Sequence, residues 1–291
     1  MIEFVQLVLG GVAVGCVYAL VALGIVLVYK ATETVNFAQG ELMMLGAFLA
    51  VALTSAGLPY WAAFAAAVVL MALAGAALER VVLRPVLGRP QFAIVMLTLG
   101  IGLMARGLVA AVPEWGAQTH SLATPFAGAS LHAGELTLSA DHAMVIATTA
   151  VLCGALTLFF HGTRLGLAMR AASQNQLGAC YMGVSLARLH SAVWALSAAI
   201  AAIAGVLLAP ITFVHTNMGL IGLKAFPAAV IGGFGSLPGA LAGGIVLGVV
   251  ESAAGFYLPE GAKDVAAWVV VLLVLMLRPA GMFADAAPRR V

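Results

Sequence analysis

Asn36, Gln39 and Glu41 fall within six positions of one another, directly before an apolar run, in a chain with few charges of any kind. An acid and two carboxamides in that setting offer donors and acceptors to a small polar solute. They also suit a stretch where a helix is interrupted and its backbone groups need partners. A charge at the centre of a bilayer costs roughly 3 kcal/mol on insertion scales, so it normally faces the protein interior or water. Two readings of Tyr29 to Glu41 follow. One is a broken helix whose polar groups line a solute path; the other is an interfacial turn in which Glu41 favours the dipole of the next helix. The residues alone weigh the two evenly.

Two further stretches interrupt the apolar pattern. Phe226 to Gly239 is rich in glycine, with Gly232 and Gly233 adjacent. It lacks the GxxxxGK[ST] spacing of a phosphate-binding loop, and no Lys follows Gly239, so it reads as a helix break or a close backbone crossing. Glu251, beyond it in an apolar helix, is either a pathway acid or a packed acid with a hydrogen-bonding partner, the former slightly preferred. From Gly162 to Ser185 the chain is mixed polar and apolar, with Arg164 and Arg170 and no acid. Such a segment either lies in a membrane interface or docks into a partner's groove, and with no lipid-anchor signal and modest charge docking fits better.

Other constellations carry less. His120, His132, Glu135, Asp141 and His142 do not form HExxH or another dense ligand pattern, so they read as a solvated loop. Cys16, Cys153 and Cys180 suggest neither a disulfide nor a metal cluster. Arg106, toward the end of its helix, reads as a snorkelling side chain. No catalytic constellation, metal site or nucleic-acid-binding feature is expected.

The elements that must position these residues follow from composition. Hydrophobic residues make up 64% of the 291 positions and charged residues 8%, against about a quarter charged in a soluble domain. The apolar residues come in blocks long enough to cross a hydrocarbon core, about 20 residues as helix. A spanning chain without barrel-like alternation must be helical, because each span satisfies its own backbone. The expected spans are 4–29, 39–56, 60–83, 92–112, 141–160, 190–213, 222–235, 239–258 and 264–279. The block from Phe4 to Val28 lacks a basic leader region and reads as a retained helix. Segment 222–235 is short enough to be re-entrant. The predicted fold is all-α: a polytopic transmembrane bundle of about eight or nine spans with broken or re-entrant segments.

Orientation follows from Lys and Arg in short loops. Arg164, Arg170 and Arg188 place 161–188 in the cytoplasm, joined by Lys30, Arg80, Arg84, Arg89, Arg278, Arg289 and Arg290. Lys224 and Lys263, with Glu260 and Asp264, fall outside, as does 113–140 with Glu114 and Glu135. The C-terminus is then cytoplasmic.

Three stretches together resemble the membrane permeases of bacterial branched-chain amino-acid ABC importers, the shorter H-type subunit. They are Val35-Asn36-Phe37-Ala38-Gln39-Gly40-Glu41 through Ala47; Arg164-Leu165-Gly166-Leu167-Ala168-Met169-Arg170-Ala171 continuing through Asn175 to Gly183-Val184; and Gly232-Gly233-Phe234-Gly235-Ser236 with Pro238-Gly239, then Glu251 and Leu277-Arg278-Pro279. The resemblance covers nearly the whole chain as a single permease domain, 1–291, with a cytoplasmic coupling loop at about 161–190. It implies a bacterial inner-membrane importer with a second, longer permease, two ABC ATPases and an extracytoplasmic substrate-binding protein. ATP and Mg would be used by the ATPases, and this chain would bind no cofactor. Arg164, Gly166, Arg170, Asn175 and Gly183 would then couple to an ATPase. Asn36, Gln39, Glu41, Gly232, Gly233 and Glu251 would line the pathway. Glu33 stands where the family pattern carries Gly. The implied cargo is leucine, isoleucine or valine; urea, amides or small aromatic acids in the same importer class, or a stand-alone secondary transporter, are the alternatives.

Overall fold

A computed structural model of the protein describes residues 2–86, 88–116, 118–133, 136–259, 261–279 and 281–283; Glu135, Glu260, Arg289 and Arg290 lie outside them. The nine expected apolar blocks are all helical. They form α1 (Ile2–Thr32), α2 (Gln39–Ser55), α3 (Tyr60–Leu78), α4 (Gln91–Ala111), α6 (Ala140–Gly162), α9 (Leu186–Thr212), α10 (Leu220–Gly232), α11 (Leu237–Tyr257) and α12 (Ala262–Leu277). Short helices α5 (Pro113–Gly116), α7 (Arg164–Gln174) and α8 (Gln176–Tyr181) connect them. Among the described residues, six helices are long and apolar enough to cross a membrane, while α2 and the apolar part of α12 are shorter. The small hairpin β1 (Ser130–Ala133) and β2 (Leu136–Ser139), paired Ser130 to Ser139, departs from the all-helical expectation. It lies in the polar 113–139 connection, where backbone can pair without a helix.

The basic connection α7–α8 packs at one end of the bundle, and the hairpin marks the other. Gln176 Nε2 donates to Ala31 O (3.1 Å) near the end of α1, so α1 finishes at the basic end. Gln6 Nε2 reaches Thr137 O (3.4 Å) near its start. Helix α1 is apolar on every side, the pattern of a fully buried helix, and Val17 through Val28 are almost entirely enclosed. It runs antiparallel to α11 along a seam of small residues. A Cβ built on Gly248 would lie 2.3 Å from Gly15 Cα, and one on Gly244 2.5 Å from Ala19 Cα. Close backbone approach of this kind is how helices associate where lipid supplies no hydrophobic drive.

Two helices begin inside the bundle instead of at an end. The first residues of α2 lie beside Gly24 and Ser197. Gly24 is eight residues before the end of α1, about 12 Å of helical rise. After Thr32 the chain therefore turns back, climbs through 33–38 and starts α2 at depth. From the other side, Val214 pairs with His120 at the hairpin end, and a 3₁₀ turn (Thr216–Gly219) leads down into α10. Helix α10 has thirteen residues, a rise of about 20 Å against the roughly 30 Å of a hydrocarbon core. The short 222–235 segment is thus a half-helix ending at the basic side, where Met282 N donates to Ile231 O (2.8 Å).

The starts of α2 and α10 touch. A Cβ on Gly40 would lie 2.2 Å from Gly219 O, and one on Gly222 2.2 Å from Gly40 Cα, so neither position has room for a side chain. Glu33, just after α1, holds φ of +55°, a left-handed conformation that costs a non-glycine residue about 1–2 kcal/mol.

Two predictions follow. Gly222→Val should destabilise the detergent-solubilised protein by about 2 kcal/mol or more through overpacking, whereas Gly10→Ala, with nothing within 4 Å, should leave the thermal unfolding midpoint unchanged or slightly raised. Glu33→Gly should raise the midpoint, by a gain of up to about 1 kcal/mol; a lowered midpoint would contradict the strain at that turn.

Candidate functional site

The break between α1 and α2 is held by a closed set of hydrogen bonds. Asn36 Oδ1 accepts from Ala38 N (3.0 Å), and Asn36 Nδ2 donates to Gln39 Oε1 (3.0 Å). Gln39 Nε2 donates to Ser197 O (3.1 Å) on α9. Ser197 Oγ lies 2.9 Å from Gln39 Oε1 and 3.0 Å from Gly24 O, and gives its one proton to either. Phe37 N donates to Thr98 Oγ (3.3 Å) on α4. Gly24 makes room for the Gln39 amide: a Cβ there would lie 1.9 Å from Nε2. Asn36, Gln39, Ser197 and Thr98 are all buried. Both carboxamides predicted from sequence are therefore brought together, and both are satisfied within the chain.

Glu41 stands one turn further, against the start of α10. Its Oε1 accepts from Arg106 Nη2 on α4. Its Oε2 and Arg106 Nε have no hydrogen-bond partner. Arg106 does not snorkel to an interface: it turns inward because an acid waits on another helix. Sequence reading could see only a lone arginine in an apolar helix, whose counter-charge lies 65 residues away.

Glu251 belongs to a different centre. Tyr18 Oη donates to its Oε2 (2.5 Å), Lys224 Nζ to its Oε1 (3.3 Å), and Lys263 Nζ lies 3.8 Å from Oε1. This clasp ties α1, α10, α11 and α12 beside a cavity of about 670 Å³ that includes Glu3, Gln6 and Lys263. Lys224, expected on the outer side, lies in the first turns of α10. Glu41 and Glu251 share no partner. Gly232 and Gly233 sit apart from both, at the basic end. A Cβ on Gly232 would lie 2.2 Å from Gly239 C, and Gly233 has φ of +88°. The glycine pair closes the α10–α11 crossing, so the six residues predicted as one pathway occupy three places.

At the basic end, Thr163 caps α7 through Gly166 N (3.0 Å), and Asn175 caps α8 through Gly178 N (2.8 Å). Gly166 packs on the end of α6, where a Cβ would lie 2.3 Å from Phe159 O. Gly183, at φ +86°, reverses the chain into α9. Arg164 is exposed; Arg170 is half-buried and lines a cavity of about 290 Å³ with Lys30, His161 and Ser236. Leu177, Tyr181 and Met182 at the tip of α8 are 72, 89 and 86% exposed. Their apolar character was legible, but their exposure at a tip was not.

A family model described as branched-chain amino acid transport system / permease component matches residues 7–278. The chain belongs to that family. As a family member it is a transport subunit and a multi-pass integral membrane protein, not an enzyme. It is 32% identical to the high-affinity branched-chain amino acid transport system permease protein LivH of Escherichia coli K12, over 96% of this chain and 95% of that one. It is 31% identical to BraD of Pseudomonas aeruginosa, with the same coverage. Among solved structures, PsaBC from Streptococcus pneumoniae in complex with Fab aligns with a TM-score of 0.51 at 15% identity, covering 93% of this permease and 91% of that chain. That likeness concerns the fold alone.

The break predicts a stability signature for this permease. Gln39→Leu leaves the Asn36 amide and the Ser197 hydroxyl without their shared acceptor and should cost about 2–3 kcal/mol, against about 1 kcal/mol for Ser197→Ala. The double variant should cost less than the sum, because the two share one network. Thermal unfolding in mild detergent measures all three.

Proposed function

We propose that the chain is one of two membrane subunits of an importer that moves branched-chain amino acids into a bacterial cell, driven by ATP hydrolysis in separate subunits. The carrying observation is the α7–α8 elbow. It projects an exposed apolar tip, Leu177, Tyr181 and Met182, from the end of the bundle richest in arginine. By the positive-inside rule that end is cytoplasmic, where an apolar patch outside the hydrocarbon suits a protein groove. The relatives LivH and BraD, named as branched-chain amino acid permeases, supply the substrate class. A second, longer permease, two ATPases using ATP and Mg, and an extracytoplasmic binding protein complete the proposed assembly in the inner membrane, with the C-terminus of this chain cytoplasmic.

The elbow is wired to the break. Gln176 Nε2 and His190 Nε2 (3.2 Å) both reach Ala31 O, immediately before the turn that climbs to Asn36. Movement of α8 on a nucleotide-driven ATPase is thereby delivered to the start of α2. Arg164 and Arg170 supply charge at that junction, while Gly166, Asn175 and Gly183 set its shape. In the proposed cycle the path opens at Asn36, Gln39 and Glu41 between outward and inward forms. Gly232, Gly233 and Glu251 hold α10 and α11 against α1 and α12. Accumulation requires the nucleotide states to differ in free energy, since a passive pore has no preferred direction.

The test is leucine uptake into proteoliposomes holding the co-purified subunits, with Tyr181→Asp/Met182→Glu beside the unaltered protein. The proposal expects uptake that needs both ATP and the binding protein. The variant should assemble with its partner permease yet retain less than about a tenth of the bound ATPase, a loss of at least 1.4 kcal/mol at the interface. Uptake that follows a proton or sodium gradient without ATP would favour a stand-alone transporter.

A further inference from the structure

We infer that Glu41 and Arg106 form an exchangeable ion pair that reads the head group of a zwitterionic amino acid, the ammonium going to Glu41 and the carboxylate to Arg106. The inference rests on the importer reading above and assigns the substrate-discriminating residues within it.

Its basis is a contrast between two Glu–Arg pairs in the same chain. Glu79 is saturated: Oε1 accepts from Arg84 Nε (3.2 Å), and Oε2 from Arg84 Nη2 (2.8 Å) and from the Ser191 hydroxyl. Arg84 Nη2 also reaches Ala187 O at 3.0 Å. That pair is a two-pronged strut with no buried atom left unpartnered. Glu41 and Arg106 touch through one oxygen and one nitrogen only. Glu41 Oε2, an acceptor, and Arg106 Nε, a donor, have no partner although both are buried. Buried polar atoms left unused carry a cost of about 1–3 kcal/mol each. A ligand that relieves both at once must bring a donor and an acceptor together, as the α-ammonium and α-carboxylate do.

Charge agrees with that ligand. The pair carries no net charge, and neither does an amino acid at neutral pH, so exchanging one set of contacts for the other moves no net charge into the low-dielectric bundle. A neutral amide or urea lacks the ionic groups that replace both halves of the pair. Glu41 packs on backbone at two glycines, where a Cβ on Gly219 would lie 2.0 Å from Oε2 and one on Gly102 3.1 Å from Cγ, so a ligand enters only as the carboxylate moves aside. Phe37 and Phe226 stack nearby at 5.6 Å between α10 and the turn before α2, an apolar wall for an aliphatic side chain. The Arg106 side chain is 25% exposed against 11% for Glu41, so the pair is approached from the α4 side.

The experiment uses the whole importer in proteoliposomes, with leucine presented by its binding protein. Glu41→Gln/Arg106→Gln removes both charges together, and Arg106→Lys keeps the ion pair without the guanidinium fork. The expected result is leucine uptake about tenfold lower or more in the double variant and a smaller loss in Arg106→Lys. The unfolding midpoint of the double variant should not fall below that of the unaltered protein, since removing a buried pair with unpartnered atoms need not cost stability, so lost uptake is distinguished from lost structure. An assembled double variant that transports leucine normally overturns the inference while leaving the importer reading intact. Where the double variant does not assemble, Arg106→Lys with undiminished uptake overturns it. An unaltered importer that accumulates no amino acid overturns both.

Discussion

The structure turns on a backbone-to-backbone contact between Gly40 and the Gly219–Gly222 segment. Two helices start there, deep in the bundle, and run away from each other toward opposite ends. Non-helical backbone at that depth is tolerated only where protein or a cavity covers it. Polar groups around the 33–38 climb answer that demand: Asn36 takes the Ala38 amide, Thr98 takes the Phe37 amide, and Gln39 bridges to α9. Any side chain at Gly40 or Gly222 separates the two starts and opens the network to lipid or water.

The rest of the fold holds that contact in place. Helix α1 passes through the bundle as a buried post, and the glycine seam with α11 sets how close the second layer comes. The Glu251 clasp fixes α10 to α11 and α12 through Lys224 and Lys263. Charged groups inside a bundle are expensive, and here each serves as a joint between helices. Glu79 and Arg84 join α3 to α9 at the basic end, and Glu41 and Arg106 join α2 to α4. Of these joints among the described residues, the last leaves buried polar atoms without a partner.

Much of this was legible in the sequence, for reasons that also explain what was not. Blocks of apolar residues that must each satisfy their own backbone become helices, so 92–112 appears as Gln91–Ala111 and 4–29 as Ile2–Thr32. The shortness of 222–235 set it apart from the longer blocks, and α10 has thirteen residues. Local polar clusters such as Asn36 with Gln39 were visible because their members are neighbours in the chain. Contacts across the sequence were not: Ser197 is one small polar residue in a long apolar helix, and Arg106 finds its acid 65 positions away. The family pattern also grouped residues that the fold sets apart. Gly232, Gly233, Glu41 and Glu251 share a family pattern but stand at separate places on three elements.

The central claim is that the chain from Glu33 to Gln39 is a break inside the bundle and not a turn at its surface. Thiol labelling from the cytoplasmic face of inverted membrane vesicles, with a membrane-impermeant maleimide, tests it most directly. Ala38→Cys is compared with native Cys180, which is exposed at the basic end, in a protein carrying Cys153→Ser and expressed without the ATPase subunits that would cover the α8 tip. Burial of Ala38 predicts labelling slower than that of Cys180 by about tenfold or more, since modification must wait for local opening. Labelling of the two at comparable rates would place the stretch at the surface and contradict the account.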